Sequence, residues 1–208
     1  MTDTRILLAG FGPFGDFNSN PSYDALIHAA NSAMFADTPA EVSCLQVPVI
    51  YDSAFEVLAA GVESIQPQGV VCFGLHSGLV GRNSGTFYVE TTARNRNGAA
   101  KGDNNGEHRG TGDIVSGAPR EILSTLRCAE LVLELREAGF SAESSDDAGA
   151  YLCNYIFYRG AEAYAGRFPF GFVHVPPVNE IGGILGISDV ARAVAVITRA
   201  VAKSTCGT

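Results

Sequence analysis

Gly69–Leu75 reads GVVCFGL, an apolar run with no polar face. A strand exposed on one side alternates apolar and polar residues, so an unbroken run implies a strand covered on both faces. Arg5–Ala9 (RILLA) and Phe168–Val175 have the same character, and Val42–Val49 and Thr86–Glu90 read as further strands. Between them lie helical patterns: one starting at Asn20-Pro21-Ser22 and running to about Met34, then Tyr51–Ile65, Leu126–Ala138, Ala150–Ala165 and Ser188–Val201. Pro21 suits a first helical turn, and Gly139 suits a C-terminal cap. Strands alternating with helices predict an α/β fold, a three-layer α/β/α sandwich around a twisted, mixed but mostly parallel sheet. Gly10–Asn20, Gly98–Gly112 and Ser145–Gly149 read as loops. The second is long and polar, the kind of loop that in a compact domain is functional or mobile.

The chain has 208 residues, 46% of them hydrophobic, which is enough for one core and predicts a single domain over 1–208. Acidic residues outnumber basic ones, 22 to 14, for a formal net charge of −8. Such a surface repels phosphate backbones and argues against nucleic acid as a partner. No apolar run reaches the roughly 18 residues of a membrane helix, so no membrane partner is expected. The five cysteines (Cys44, Cys72, Cys128, Cys153, Cys206) are odd in number and show no CxxC spacing, so a zinc ribbon or dithiol motif is not supported. Free thiols and an N-terminus without a signal-peptide pattern place the protein in the cytoplasm.

Chemistry concentrates in a few residues. Cys153 lies in SSDDAGAYLCN, near the start of a predicted helix that follows a loop. Helix N-termini carry free N–H groups and partial positive charge, which stabilise a thiolate. Ser145, Asp146 or Asp147 would cap that helix, and either aspartate close by would oppose the thiolate. A nucleophilic thiolate also needs a base. His28 falls within a helix and His108 in the polar loop, whereas His76 ends the GVVCFGL strand, where open α/β sheets bind ligands. His174, in GFVHVPP, follows Cys153 by one helix and one returning strand, which brings both to one edge of the sheet and makes it the best candidate base. Glu90, closing TFYVE, is the carboxylate to orient the imidazole, with Asp103 as its rival. The GxGxxG-like segment Gly10–Gly15 is a poor phosphate cradle, because Pro13 lacks an amide and Phe11 and Phe14 offer an anion nothing; a flat neutral ligand suits it better.

These segments together resemble the pyroglutamyl peptidase I (pyrrolidone-carboxylate peptidase) family. GFGPFGDFNSNPS resembles the family's GFEPFGG…NPS, SSDDAGAYLCN its S.SAGTYLCN, GFVHVPPVNE its GFIHVP…PEQ, and ETTARN its ER.A.N, in the same order along nearly the whole chain. The resemblance implies a cytosolic cysteine exopeptidase on an α/β/α fold, acting without cofactor on peptides with N-terminal pyroglutamate, and assembled as a homo-oligomer, dimer or tetramer. Carried over by position, Cys153 is the nucleophile, His174 the base and Glu90 its orienting group. Phe11 and Phe14 match the phenylalanines that sandwich the lactam ring, and His76 and Leu152 join them as implied substrate contacts. Two segments depart from the family pattern. Residues 76–89 read as an insertion relative to a GQAGGR-type link, and the family's arginine in ARIPDN is Ala100 here, followed by Lys101. These departures motivate two other readings: thiol hydrolysis of a different small cyclic or acyl amide, and a catalytically silent ligand binder. Nucleotide binding rests on the glycine loop alone.

Overall fold

The computed structural model describes residues 4–15, 17–98 and 100–205; Cys206 lies outside them. Eight strands and five helices follow in the order β1 (Arg5–Phe11), α1 (Pro21–Asn31), β2 (Glu41–Val47), α2 (Tyr51–Ile65), β3 (Gly69–Leu75), β4 (Phe87–Glu90), β5 (Thr92–Arg94), β6 (Glu121–Leu123), α3 (Cys128–Glu137), β7 (Ala142–Ser145), α4 (Leu152–Tyr164), β8 (Phe170–Val175) and α5 (Ile187–Thr205). Six strands form one sheet in the order β2-β1-β3-β8-β4-β7, and β5 and β6 form a separate antiparallel ribbon. Every pairing in the large sheet is parallel except β4 with β8. This is the α/β architecture that the alternation of elements predicts.

Side chains alternate across the central strands and feed two cores. Ile6, Leu8, Val71 and Phe73 pack with α1, α3 and α5 on one face. Leu7, Ala9, Val70 and Cys72 pack with α2 and α4 on the other. All seven residues of β3 are buried, as a strand with helices on both sides requires. Among the described residues, no helix is long and apolar enough to cross a membrane.

Three elements were not expected. β5, β6 and β7 are three or four residues long and partly polar, and their pairing partners come from distant parts of the chain. Other boundaries shift. β1 runs on to Phe11 instead of stopping before Gly10, because Gly12 N–H still reaches the Val47 carbonyl of β2. Helix α1 ends at Asn31, α3 begins at Cys128, α4 begins at Leu152 and not Ala150, and β8 begins at Phe170.

The turn from β1 to α1 is held from both ends. Asn20 is the N-cap of α1, its Oδ1 accepting from Ser22 N–H and Ser22 Oγ, while its Nδ2 donates to the Gly12 carbonyl. Ser22 Oγ in turn accepts from Phe11 N–H at 3.0 Å. The NPS triplet therefore starts the helix and fixes the end of the strand that carries Phe11. Close backbone packing allows this: a Cβ on Gly10 would lie 2.5 Å from the Ser22 carbonyl oxygen.

Packing is tight between α4 and β8. A Cβ on Gly160 would lie 2.0 Å from the Phe170 ring. Gly160→Ala should therefore lower stability by about 1–3 kcal/mol through overpacking, read as a lower Tm by circular dichroism. An unchanged Tm would show that the Phe170 ring yields without penalty.

Candidate active site

Chain order reverses direction about β1. The path goes from β1 out to β2, then back past β1 to β3. At such a reversal the helices diverge and leave a crevice beyond the carboxyl ends of the strands. A cavity of about 260 Å³ lies there, lined by Phe11 from the end of β1, Leu75 and His76 from the end of β3, His174 from β8, and Leu152 and Cys153 from the start of α4. Phe14, Asn20, Lys101 and Tyr151 complete much of its wall.

The one antiparallel pairing of the large sheet builds the polar part of the site. β4 lies beside β8 in the register Tyr88↔His174 and Glu90↔Phe172. Glu90 and His174 are thus diagonal neighbours on one face, within side-chain reach. His174 Nδ1 and Glu90 Oε1 are 2.7 Å apart. Both residues are buried, Glu90 to 1% exposure and His174 to 6%. Nδ1 being taken, Nε2 is the ring nitrogen left to serve Cys153, which lines the same cavity. Burial by itself lowers the imidazole pKa, but the hydrogen bond and charge of Cys153, and then those of Glu90, outweigh it and push it up to about 9.

Cys153 occupies the first turn of α4, where amides have no carbonyl one turn back to receive them. Its sulfur needs the absence of a side chain on β3: a Cβ on Gly74 would lie 2.8 Å from Sγ and 2.7 Å from the Phe172 ring. Asn154 is fully buried and ties this turn to the neighbouring chain, accepting from Arg94 N–H and donating to the Arg94 and Arg96 carbonyls. No side chain caps α4; its N-cap is Tyr151. The expected capping by Ser145, Asp146 or Asp147 is therefore corrected. Asp146 and Asp147 bind Arg94 and Arg96, which balance the negative charge they would otherwise bring near the thiol.

Asp103, the rival to Glu90, does other work. Its Oδ2 accepts from Tyr51 N–H at the start of α2, and its Oδ1 accepts from Asn105 and Glu107 N–H. It caps that helix from outside and fastens the long polar loop. Arg109 adds to this, stacking over Tyr51 and Tyr155 and pairing with Asp52 and Glu107. So held, the loop delivers Lys101 to the cavity wall. Ala99, within the same loop, lies outside the described residues. His28 is half-buried in α1 and His108 is exposed, both away from the cavity lining. Among the described residues, no three His, Cys, Asp or Glu side chains group as metal ligands would.

Residues 4–202 match the pyroglutamyl peptidase family. The chain belongs to that family. It is 31% identical over 181 residues to the pyrrolidone-carboxylate peptidase of Bacillus amyloliquefaciens, covering 86% of this chain and 80% of that one. It is 30% identical to the pyrrolidone-carboxylate peptidase of Streptococcus pyogenes serotype M4, covering 85% and 79%. Its fold is similar to the crystal structure of the Bacillus amyloliquefaciens pyroglutamyl peptidase I, with a TM-score of 0.86 at 26% identity over 97% of this chain and 98% of that one. It is also similar to a mutant pyrrolidone carboxyl peptidase of Pyrococcus furiosus, with a TM-score of 0.85 at 28% identity over 97% and 99%.

Within this family member, Glu90, Cys153 and His174 stand together, and Phe11, Phe14, His76 and Leu152 line the same cavity. His76 lies beside His174, ring centroids 5.3 Å apart, and burial followed by the charge of His174 holds its pKa below the usual histidine value. Sequence reasoning gave no role to Asn20, Tyr151 or Asn154. Asn20 and Asn154 sit inside motifs already singled out, so their signal was adjacency alone.

The charged state of His174 is testable. Its folded-state value lies above the ordinary 6.5, so its contribution to stability is complete below about pH 6.5 and is lost as pH rises through about 9. An NMR titration of the His174 ring should show a midpoint near 9. The midpoint should fall in Glu90→Gln and in Cys153→Ser. A parent midpoint at 6.5 or below would contradict the coupling.

Proposed function

We propose that this protein hydrolyses the amide bond after an N-terminal pyroglutamyl residue, with Cys153 as nucleophile, His174 as acid and base, and Glu90 as the orienting carboxylate. One observation carries the reading: His174, paired with the buried Glu90, lines one cavity with Cys153, Phe11 and Phe14, in a chain of the pyroglutamyl peptidase family. The relatives named above are pyrrolidone-carboxylate peptidases, which supports the same substrate class.

The neutral lactam ring packs against the phenyl rings, which suit a flat, uncharged group better than an anion. Cys153 Sγ, its proton passed to His174 Nε2, attacks the pyroglutamyl carbonyl carbon. The oxygen gains negative charge as the tetrahedral intermediate forms, and first-turn amides of α4 stabilise it. The intermediate collapses with cleavage of the C–N bond. His174 returns the proton to the leaving amine, and a thioester between Cys153 and the pyroglutamyl group remains. Water, deprotonated by His174, then attacks the thioester. The C–S bond breaks, and pyroglutamate leaves as the thiolate–imidazolium pair is restored. Glu90 keeps Nδ1 occupied throughout, so Nε2 always faces the reaction. The four described cysteines are all free thiols, which supports a reducing compartment for this chemistry.

The test is release of a fluorophore from a pyroglutamyl-aminocoumarin amide. The parent protein should turn it over, and Cys153→Ser should lose about a thousandfold or more in kcat. Glu90→Gln should fold and bind normally but lose kcat, because the imidazole no longer has its anionic partner. Full activity in Cys153→Ser, or no turnover by the parent, would refute the reading.

A further inference from the structure

The mechanism above leaves one charged group in the cavity unused. Lys101 is exposed at the rim of the cavity, with its ammonium 4.6 Å from the centroid of the Phe14 ring and 4.5 Å from that of Tyr151. It makes no ion pair with any described residue. The nearby carboxylates are occupied, Asp103 by three backbone amides and Asp147 by Arg96. Burial lowers the lysine pKa, and the charge of Cys153 acts in the opposite direction. Two aromatic faces flank the ammonium, and among the described residues no carboxylate pairs with it. An anion arriving beside it would gain a charge-assisted contact.

Position narrows what that anion is. Phe14, Lys101 and Tyr151 belong both to the cavity that holds Cys153 and to a second, wider hollow of about 770 Å³ running past Gly15, Asn18 and Asn104. Lys101 is the only lysine or arginine among the described residues lining either space. The acyl group fills the first space, so the leaving part of the substrate has the second as its path. We propose that Lys101 binds a carboxylate on the leaving side of the substrate, and so favours pyroglutamyl peptides with a carboxylate on the residue after the pyroglutamate. This rests on the proposed function. The carboxylate is either that residue's acidic side chain or its free C-terminus, and both present the same chemistry to the ammonium. The preference runs against the field of the whole chain, whose net charge of −8 repels acidic peptides, so it requires a local cation. If Lys101 served only to stabilise the Cys153 thiolate, it would raise rates for every substrate alike and discriminate between none.

The experiment compares kcat/KM for two isosteric pairs: pyroglutamyl-glutamate amide against pyroglutamyl-glutamine amide, and pyroglutamyl-alanine against its amide. In at least one pair the parent should favour the charged member by about fivefold, the upper range of a partly exposed ion pair. Added salt should shrink that ratio. The pair that responds identifies the carboxylate. Lys101→Met should bring the ratio to one or slightly below, and Lys101→Glu should invert it further. Equal rates within both pairs, or a ratio unchanged in Lys101→Met, would overturn the inference and leave the proposed function standing. Failure to cleave all four substrates would overturn both. Should the variants not fold, the isostere ratio and its salt dependence in the parent still decide the matter.

Discussion

Glu90 is a carboxylate buried to 1% exposure, and the site is arranged around meeting its need for a partner. An ionised carboxylate taken out of water is strongly unfavourable unless a charged or hydrogen-bonding group joins it. His174 is that group, at 2.7 Å. The meeting depends on β4 running antiparallel beside β8 in one register. A slip of one residue would turn Glu90 to the opposite face, where Phe87 and Val89 now pack into the core with α3 and α5. A single sheet register therefore gives one oxygen of a buried carboxyl group its partner, aligns an imidazole and fills the core behind it. Strands β1 and β3 supply the crevice into which that imidazole opens.

The rest of the site follows from placing atoms close to this pair. Gly74 on β3 leaves room for the Cys153 sulfur, and Asn154 pins the first turn of α4 that carries it. The Asn20–Ser22 network fixes the end of β1, and with it Phe11. Asp103 and Arg109 hold the 98–112 loop on α2 and so set Lys101 against the wall. Each is a polar group satisfied locally whose consequence appears at the cavity. The match to the pyroglutamyl peptidase family extends over residues 4–202, a span that contains all of these positions.

Much of this was legible in the chain, and the misses share a cause. Tyr51–Ile65 and Gly69–Leu75 were readable to the residue, because amphipathic period and unbroken apolarity are local signals. Cys153 and His174 followed from their positions at a helix start and a strand end. β5, β6 and β7 were hidden because strands of three or four residues carry too little pattern, and what orders them is a partner far along the chain. The start of α4 was placed two residues early, since its cap is not a side chain and Asp146 and Asp147 are drawn off to arginines. The choice between Glu90 and Asp103 could not be made from residue type. It depends on which carboxylate the sheet register carries to the imidazole and which one a helix N-terminus claims. Lys101 was visible as a departure from the family pattern, but its place against Phe14 and Tyr151 is a tertiary fact.

The central claim is that Cys153 forms a covalent bond to the pyroglutamyl group, through a thiolate sustained by His174 and Glu90. Acid quenching during turnover, followed by peptide mass spectrometry, tests it most directly. The account predicts a pyroglutamyl adduct on the peptide containing Cys153, absent from the Cys153→Ser protein and from the peptides containing Cys44, Cys72 and Cys128. Turnover with no adduct on any cysteine, or with the adduct on another of them, would contradict it.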